Sequence, residues 1–455
     1  MSQPPDAPEG GPPTDPGVPS QDWWSAGLPN DTHRGRLRSQ FAKIKDGLEG
    51  SELNRSRRAQ VGVHPNTGDL ADGEFLYRMD TLVTTDANAG RVREALGLPA
   101  ARGKNQRDVA DQPDGLTVVR LRKGQDGVAA ARLVEAALGP WIAAPDLVHH
   151  VTTSSACPAT EPELPGGKTV GMGGSGQSVP KVNGRASAGA GVKVAVIDTG
   201  FRESVLKEHT PSWLQGVTGE EEDPTLVGHY RGHGTFVAGV VRAMAPKSQV
   251  HVHRLLTTGG AEFESDLIPR MVAALRTGPD IISMSAGVNL KDTTREGHQW
   301  TSIGLRVFNE VHLQPTRTLF VCAAGNDGGP GPFEPASQGW PVAVGALDAS
   351  GVLAGYSNRG PWVDVYARGS DVVNAYPDGV YHYEESSRPD VTFDSGLARW
   401  SGTSFATPLV AGLVAARMSW SGETPRAAWL SLYGLAKARA ADGGLPTLRP
   451  GDGNP

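Results

Sequence analysis

The sequence predicts a doubly wound α/β domain with a mainly parallel sheet, preceded by a small α+β domain of the ferredoxin-like type. Residues 192–198 form an apolar run that ends in a carboxylate and a glycine turn, a pattern typical of a buried parallel strand whose carboxyl end faces a site. Similar strands then alternate with amphipathic helices to about residue 440. A shorter alternation occupies residues 74–153, where two helices on one face of a small sheet indicate an α+β domain.

Length and charge limit the classes of protein to consider. The 455 residues allow about two or three domains, and the net charge of −6 gives no reason to expect nucleic acid or a membrane as a partner. No apolar run could span a bilayer, and residues 1–20 lack the basic and apolar regions of a secretory signal. We therefore expect a cytoplasmic protein, or one exported without a cleavable N-terminal signal. Cys157 and Cys322 are too few for a disulfide framework or a metal cluster, and we expect Cys322 to be a core residue.

Composition divides the chain into six segments. They are a disordered tail (1–30), a basic helical or linker segment (31–73), the small α+β domain (74–153), a Gly/Ser/Pro-rich linker (154–190), the α/β domain (191–440) and a flexible C-terminal tail (441–455). We expect the basic segment to be a solvated helix or linker, with docking of an acidic partner as the alternative. The Gly/Ser/Pro-rich linker has the composition of a flexible tether that a protease can cut.

Periodicity and capping residues place the individual elements. In the small domain the expected strands are 74–85, 117–123 and 146–153, and the expected helices are 86–96 and 124–138. In the large domain the expected strands are 192–198, 249–256, 280–287, 318–324, 341–347 and 363–366, with a helix at 264–276. His149 and His150 adjoin on a strand and point to opposite faces, which argues against a shared metal site.

Three turns of the large domain carry groups that suit nucleophilic catalysis. Asp198 ends a buried strand, so it must be paired or functional. His233 and Ser404 each follow a glycine turn and begin an apolar helix. An imidazole can take a proton from a hydroxyl near neutral pH, and a helix amino end stabilises an oxyanion. Aspartic-protease chemistry is the alternative for Asp198, but it requires a second Asp-Thr-Gly from another subunit. A plain helix N-cap is the alternative for Ser404.

Four motifs occur in one order: Asp-Thr-Gly at Asp198, Gly-His-Gly-Thr at His233, Ala-Ala-Gly-Asn ending at Asn326, and Gly-Thr-Ser-Phe-Ala-Thr-Pro around Ser404. Together they resemble the subtilisin-like (subtilase) serine proteases over about residues 190–440. The resemblance implies that Ser404 is the nucleophile, His233 the general base and Asp198 its orienting carboxylate. It also implies that the Asn326 amide and the Ser404 backbone N–H bind the oxyanion.

The resemblance also implies where a substrate lies and which other molecules bind. The expected substrate-binding residues form two walls, an edge strand for an extended peptide and the opposite side of the pocket: Ser283, Met284, Ser285, Ala286 and Gly287, then Ala323, Ala324 and Gly325. Expected partners are a peptide or protein substrate and a regulatory protein. No cofactor is implied; many members bind calcium in surface loops, but we assign no ligands, because residues 220–223 fit a solvated acidic turn.

The small domain resembles a subtilase propeptide in position and element order. We hypothesise that it covers the cleft as an intramolecular inhibitor and that the connector is cut between Val151 and Gly191. A permanent partner-binding module is the alternative. The same acyl-enzyme could serve a peptide cyclase or ligase, and a binding or scaffold component with little free activity is a further alternative. Residues 374–400 are longer than a minimal connection, so their fold is left open; Leu409 is expected to pack in the core.

Overall fold

The computed structural model describes residues 33–51, 59–100, 112–151, 160–166, 179–209, 211–223, 230–257, 259–290, 300–383, 388–441 and 443–455. The disordered tail expected at residues 1–30, Cys157 and parts of the predicted linker lie outside these ranges. The helices are α1 (His33–Gly50), α2 (Ala89–Ala95), α3 (Gly127–Leu138), α4 (Ser204–Glu208), α5 (His233–Met244), α6 (Glu264–Arg276), α7 (Ile303–Val307), α8 (Thr403–Ser421) and α9 (Pro425–Arg439).

Short 3-10 turns lie at Leu70–Asp72 and Ala336–Gln338, and a π-helical turn lies at Phe308–Leu313. Strands of the N-terminal part are β1 (Val61–His64), β2 (Phe75–Thr85), β3 (Leu116–Arg120) and β4 (Ala143–Val151). The remaining strands are β5 (Lys193–Asp198), β6 (Thr218–Gly219), β7 (Gln249–Arg254), β8 (Ala261–Phe263), β9 (Ile281–Met284), β10 (Ala286–Asn289), β11 (Leu319–Ala323), β12 (Phe333–Glu334), β13 (Val342–Leu347), β14 (Val365–Arg368), β15 (Val372–Ala375), β16 (Gly379–Tyr381), β17 (Val391–Phe393), β18 (Leu397–Trp400) and β19 (Thr447–Leu448).

The predicted parallel sheet is present and has eight strands in the order β19-β14-β13-β11-β9-β5-β7-β6. Alternate side chains of β5 enter two different cores, because successive residues of a strand point to opposite faces. Val194 and Val196 pack with α5 and α8, whereas Ala195 and Ile197 pack with α6 and α7. Both faces are therefore covered by helices, which explains why residues 194–197 of this strand are all apolar.

A second, antiparallel sheet joins the N-terminal strands to the α/β domain. Its order is β1-β2-β4-β10-β12, with β3 also paired to β2 and β8 also paired to β4. Strands β2, β3 and β4 alternate with α2 and α3 in the predicted β-α-β-α-β order. The single strand predicted at 280–287 is in fact two strands, because the chain leaves the parallel sheet at Ser285 and enters this second sheet as β10.

Two expectations, one for the basic N-terminal segment and one for the C-terminal segment, are wrong. Helix α1 is present, but it is not solvated: Phe41, Ile44 and Leu48 are buried against β8 and the second sheet. The C-terminal segment is not a flexible tail, because β19 pairs in parallel with β14 and Leu448 is buried. In both cases the segment has too few apolar residues to give a strong periodic signal. Contacts with distant segments nevertheless bury those residues.

The long segment expected at residues 374–400 contains two antiparallel strand pairs, β15 with β18 and, between them in the chain, β16 with β17. Leu409 is buried and Cys322 is a free, buried core thiol, as predicted. Among the helices of the described residues, none has both the length and the apolar character needed to cross a bilayer.

Candidate active site

Asp198 lies at the carboxyl end of β5, near the middle of the parallel sheet, and is fully buried. Its Oδ1 atom lies 2.7 Å from His233 Nδ1 and accepts a 2.8 Å hydrogen bond from the Thr199 N–H. A carboxylate beside Nδ1 favours the imidazole tautomer that carries its proton there, so the lone pair of the ring lies on Nε2.

Two glycine turns bring this carboxylate and imidazole together. Gly200 has φ +109°, and a Cβ built on Gly234 would lie 2.2 Å from the Gly200 carbonyl oxygen. The backbones that carry Asp198 and His233 therefore touch at a distance that only glycine allows. The glycines of the Asp-Thr-Gly and His-Gly-Thr motifs are thus required because a side chain at either position would prevent this contact.

The imidazole of His233 is fully buried and packs against two aromatic rings that also contact each other. The ring centroids of Trp400 and Phe405 both lie 5.6 Å from it. Within the described part of the chain, His233 Nε2 makes no hydrogen bond. Phe405 directly follows Ser404 in the first turn of α8, so this packing brings the amino end of α8 to the imidazole.

Ser404 and Asn326 are joined through Thr403. The Asn326 Oδ1 atom accepts hydrogen bonds from the Thr403 N–H (2.9 Å) and the Thr403 hydroxyl (2.8 Å). Two donors on the amide oxygen fix the amide plane, because only the oxygen can accept. The nitrogen end of the amide is therefore held in one orientation beside the first turn of α8, where Ser404 lies.

The predicted substrate walls are only partly where the sequence places them. Ser283 and Met284 belong to β9, which is paired on one side with β5 and on the other with β11. They cannot offer a free edge to a peptide, so that expectation is wrong for these two residues. Ser285 donates its hydroxyl to the Ser404 carbonyl (3.1 Å), and Ala286 and Gly287 begin β10, which lies between β4 and β12 in the second sheet.

The opposite wall contains Ala323, Ala324 and Gly325, which are buried at and beyond the end of β11 and lead directly to Asn326. Gly325 has φ +97°, and a Cβ there would lie 2.4 Å from Asn358 Nδ2. The glycine is thus required for the turn that directs Asn326 toward Thr403.

Strand β4 occupies the edge on which a substrate strand is expected. On one side it pairs with β10, Val151 opposite Ala286 and His150 opposite Gly287. On the other side it pairs with β8, and the Val151 N–H donates to the Gly260 carbonyl (2.9 Å). An extended segment of the same chain therefore lies between two strands of the α/β domain and ends beside Ser285.

Buried charges hold β4 in this position. Asp146 accepts from the Ser265 N–H (2.8 Å) and the Ser265 hydroxyl (2.6 Å) at the amino end of α6, and Arg78 contacts both Asp146 and Asp266. His149 Nε2 lies 3.0 Å from a Glu264 oxygen. Burial raises the pKa of Asp146 to about 6 against the opposing effect of Arg78. Sequence reasoning missed this cluster, although an Asp and an Arg within otherwise apolar strands were a signal of it.

Glu222 contradicts the interpretation of residues 220–223 as a solvated acidic turn. It is fully buried, and its carboxylate accepts from the Gly232 N–H (2.7 Å) and from Arg202 Nε (2.7 Å). Thr199 also donates its hydroxyl to it (3.3 Å). Glu222 therefore ties the turn after Asp198 to the turn before His233. The sequence of residues 220–223 suggested a solvated turn because the partners that allow Glu222 to be buried are distant in the chain.

The titration of Glu222 gives a testable pH effect. Burial raises its pKa to about 7, although Arg202 favours the ionised form. In the unfolded chain this carboxyl ionises at its ordinary pKa of roughly 4.3. Its contribution to stability is therefore fully present below that pH and is lost as the pH rises through 7. In a Ser404→Ala background, the stability deficit of Glu222→Gln relative to its parent should shrink between pH 5 and pH 8.

The measurement is the denaturant midpoint at both pH values. Glu203→Gln is the matched control, because Glu203 is an exposed carboxylate that forms an ion pair with Lys207 on α4. It should shift the midpoint equally at both values. If Glu222→Gln also shows the same deficit at pH 5 and pH 8, Glu222 titrates like an exposed carboxyl and the assigned pKa is wrong.

One group of side chains has a spacing that could suit a cation. Glu208, His209 and Asp378 each place one ligand atom within 4.8 Å of the others. His209 Nε2 is already 2.7 Å from an Asp378 oxygen, and Glu208 is exposed, so we assign no metal to them.

The parallel sheet with a carboxylate, an imidazole, a serine and an asparagine on turns at one edge defines a subtilisin-like α/β fold. Residues 189–440, more than half of the chain, match the Subtilase family, and the chain belongs to that family. The resemblance of residues 190–440 to the subtilases is thereby confirmed.

The chain is similar to two curated bacterial proteases. It is 32% identical over 244 residues to a thermophilic serine proteinase of Bacillus sp. (strain AK1), with 50% of this chain and 52% of that protein covered. It is 31% identical over 244 residues to an intracellular serine protease of Paenibacillus polymyxa, with 50% and 66% covered. The chain thus spans about half to two thirds of the length of these relatives.

Solved structures with a similar fold include a cold adapted subtilisin-like serine proteinase (23% identity, 61% of this chain and 89% of that chain, TM-score 0.42). They also include the patellamide maturation protease PatA (25% identity, 55% and 86%, TM-score 0.41).

Proposed function

We propose that the chain is a serine endopeptidase that hydrolyses peptide bonds through Ser404, His233 and Asp198. The observation that carries the proposal is the 2.7 Å contact between Asp198 and His233 Nδ1, which leaves Nε2 as the basic nitrogen beside the α8 turn that bears Ser404. Membership of the subtilase family and similarity to curated serine proteases support it.

The proposed reaction uses each group in turn. His233 Nε2 takes the proton of the Ser404 hydroxyl as its oxygen attacks the peptide carbonyl. The oxyanion that forms accepts hydrogen bonds from the Asn326 amide and the Ser404 N–H at the amino end of α8. His233 then returns the proton to the leaving amine, while Asp198 stabilises the imidazolium. Water, activated by the same base, hydrolyses the acyl-enzyme and releases the carboxylate product.

The proposal is tested with a diverse peptide pool and mass spectrometry. Products that together gain the mass of one water are expected, because water resolves the acyl-enzyme. Joined or cyclic products without that gain would indicate a ligase. Neither product, together with no labelling of Ser404 by a fluorophosphonate probe, would overturn the proposal and favour a binding component.

Asn326→Ala should lower kcat by about a hundred- to a thousandfold, the range found when one oxyanion donor is removed from a subtilisin. KM should change little, since the donor acts mainly in the transition state. Steady-state kinetics on one peptide from the pool provides the measurement. Asn183→Ala is the matched control, because Asn183 binds the Met244 carbonyl at the opposite end of α5 from His233. An Asn326→Ala loss below tenfold would remove Asn326 from the oxyanion site.

We further propose that the N-terminal domain is an intramolecular inhibitor. Strand β4 lies between β8 and β10 and uses their backbone groups for pairing. A substrate strand could pair with β8 and β10 only after β4 leaves. The buried pair of Arg78 and Asp266, a residue of α6 in the α/β domain, supports a specific docking of this domain, because breaking such a pair leaves an uncompensated charge. A permanent partner-binding module remains the alternative, in which the connector stays intact.

A further inference from the structure

Residues 160–163 lie in a groove beside the candidate active site. Five side chains line this groove, which we call the carboxylate groove: Tyr381, Tyr383, Arg388, Arg399 and Trp400. Tyr383 donates its hydroxyl to the Pro162 carbonyl (3.0 Å), and Trp400 Nε1 donates to the Thr160 carbonyl (2.6 Å). Because these bonds go to backbone carbonyls, they fix the path of an extended chain without selecting its side chains.

Selection comes from two carboxylates of the bound segment, each of which meets specific donors. Arg399, whose side chain is 3% exposed, and Arg388 both bind the Glu163 carboxylate. Glu161 is buried and accepts a hydrogen bond from the Tyr381 hydroxyl (3.0 Å). Hydrogen bonds to an ionised carboxylate are stronger than those between neutral groups. The groove therefore selects two carboxylates that are separated by one residue.

The charge balance of the groove favours glutamate over glutamine. Arg388 and Arg399 bring two positive charges to the position of the second carboxylate, and Asp371 lies 3.8 Å from Arg399 Nε and offsets part of this charge. Without the carboxylate of Glu163, the nearly buried Arg399 would lose a negative neighbour in a site shielded from water, which costs free energy. An amide at this position could accept the same hydrogen bonds but would not restore the charge.

The segment runs away from Ser404 in its amino-to-carboxyl direction. It is antiparallel to β18 at the bridge between Glu163 and Arg399, and β18 leads toward Ser404 at the start of α8. Thr160, at the amino end of the segment, lies beside Ser401 and accepts a hydrogen bond from its N–H (3.2 Å). The residues of a substrate that follow the cut bond run in the same direction, because their amino end is the end next to the nucleophile.

The same indole that binds the segment also contacts the imidazole. Trp400 packs edge-on against the His233 ring, with 5.6 Å between the ring centroids. Strand β4 approaches Ser404 with its carboxyl end, because Val151 pairs with Ala286, the residue after the serine that binds the Ser404 carbonyl. The site therefore has β4 in the direction of the acyl side of a substrate and the carboxylate groove in the direction of the leaving side.

We propose that the carboxylate groove is a substrate subsite for the leaving side of an acidic peptide, and that residues 160–163 occupy it as an internal mimic of such a substrate. The inference rests on the proposed protease function and adds a class of substrate to it: peptides with two carboxylates two positions apart after the cut bond. Tyr381, Arg388 and Arg399 determine this specificity, and they take no part in breaking the bond.

The test uses pairs of synthetic peptides based on one cut site from the peptide pool. The two members of a pair are identical up to the cut bond and carry Glu-Pro-Glu or Gln-Pro-Gln after it. The motif begins at the second to the fifth residue in a series, because an extended residue spans roughly 3.3 Å and the groove adjoins the site. At one position in the series, kcat/KM of the full-length wild type should favour the Glu peptide by about ten- to a hundredfold.

Binding gives a second measurement that does not depend on turnover. Fluorescence anisotropy with the full-length Ser404→Ala chain yields the Kd of each peptide, and the Glu member should bind more tightly at the same position in the series. A groove that only anchors the chain would give equal kcat/KM and equal Kd for the two members at every position, and that result would overturn the inference.

Variants of the groove should change the preference one carboxylate at a time. On peptides with a single glutamate, Tyr381→Phe should remove the preference for the first carboxylate alone, and Arg388→Gln should weaken it for the second. Arg388→Lys keeps the charge and should retain most of the preference. Arg417→Gln is the matched control, because Arg417 pairs with Glu423 at the far end of α8. A preference that neither groove variant changes would place the discrimination elsewhere and overturn the inference.

The double variant Glu161→Gln with Glu163→Gln tests the mimicry. It weakens the hold on the segment of the chain itself and leaves the groove intact, so hydrolysis of the Glu peptides should rise several-fold. Unchanged hydrolysis would show that residues 160–163 do not compete with substrate and would overturn the mimicry. Hydrolysis without a preference for glutamate would overturn this inference alone. Absence of both hydrolysis and fluorophosphonate labelling in every chain that retains Ser404 would overturn the protease function, and this inference with it.

Discussion

The Ser404→Ala variant should lose peptide-bond hydrolysis by about six orders of magnitude in kcat, the loss found when the nucleophile of a subtilisin is removed. The proposed acyl-enzyme forms on the Ser404 hydroxyl, and without that hydroxyl His233 is left to activate water. The Asn326 amide keeps its bonds to Thr403, so the fold of the α8 turn should not change. The same variant should remain uncut at its full length, since the proposed self-cleavage depends on the same hydroxyl.

Two measurements check this expectation. Hydrolysis of one peptide from the pool gives kcat, and the intact mass after prolonged storage reports self-cleavage. Ser421→Ala is the matched control, because Ser421 lies at the other end of α8 and bonds only within its own helix end and to Glu423. Equal chain cleavage in wild type and Ser404→Ala would show that a contaminating protease cuts the connector.

Asp198→Asn should lower kcat by about four orders of magnitude at neutral pH. The amide keeps the size of the carboxylate and can still accept the Thr199 N–H. It cannot stabilise an imidazolium, and its N–H₂ group favours the tautomer that carries the proton on the wrong ring nitrogen of His233. The loss is therefore electrostatic and tautomeric rather than steric.

Measurement of kcat gives the catalytic loss, and the free energy of unfolding shows whether the substitution also disturbs the fold. Asp280→Asn is the matched control, because Asp280 accepts from the Lys193 N–H at the opposite end of the same strand β5. It should leave kcat unchanged. Combined with Ser404→Ala, Asp198→Asn should cause almost no further loss, since both residues act in one unit. A loss smaller than tenfold with Asp198→Asn alone would mean that His233 does not act as a base.

The turns that carry Asp198 and His233 could be predicted from sequence because each follows from local chemistry. A buried strand that ends in Asp198 and a helix that begins after a glycine with His233 each have a local sequence pattern that can be recognised without the rest of the chain. The close approach of Gly200 and Gly234 makes that pattern strict, since a side chain at either position would clash. The walls of the cleft were predicted less well, because the break at Ser285 between two sheets has no breaker residue to signal it.

By itself the sequence determined the parallel α/β fold, the order of its strands along the chain and the residues that end them, because periodicity and glycine turns act over a few neighbouring residues. Only the tertiary structure decided that β4 lies between β8 and β10, that Glu222 is buried, and that Glu163 meets Arg399. Strand pairing uses backbone groups that every residue carries, so it leaves little trace in the residue types. The burial of a charge, in turn, depends on partners that are remote in the chain and become neighbours only when it folds.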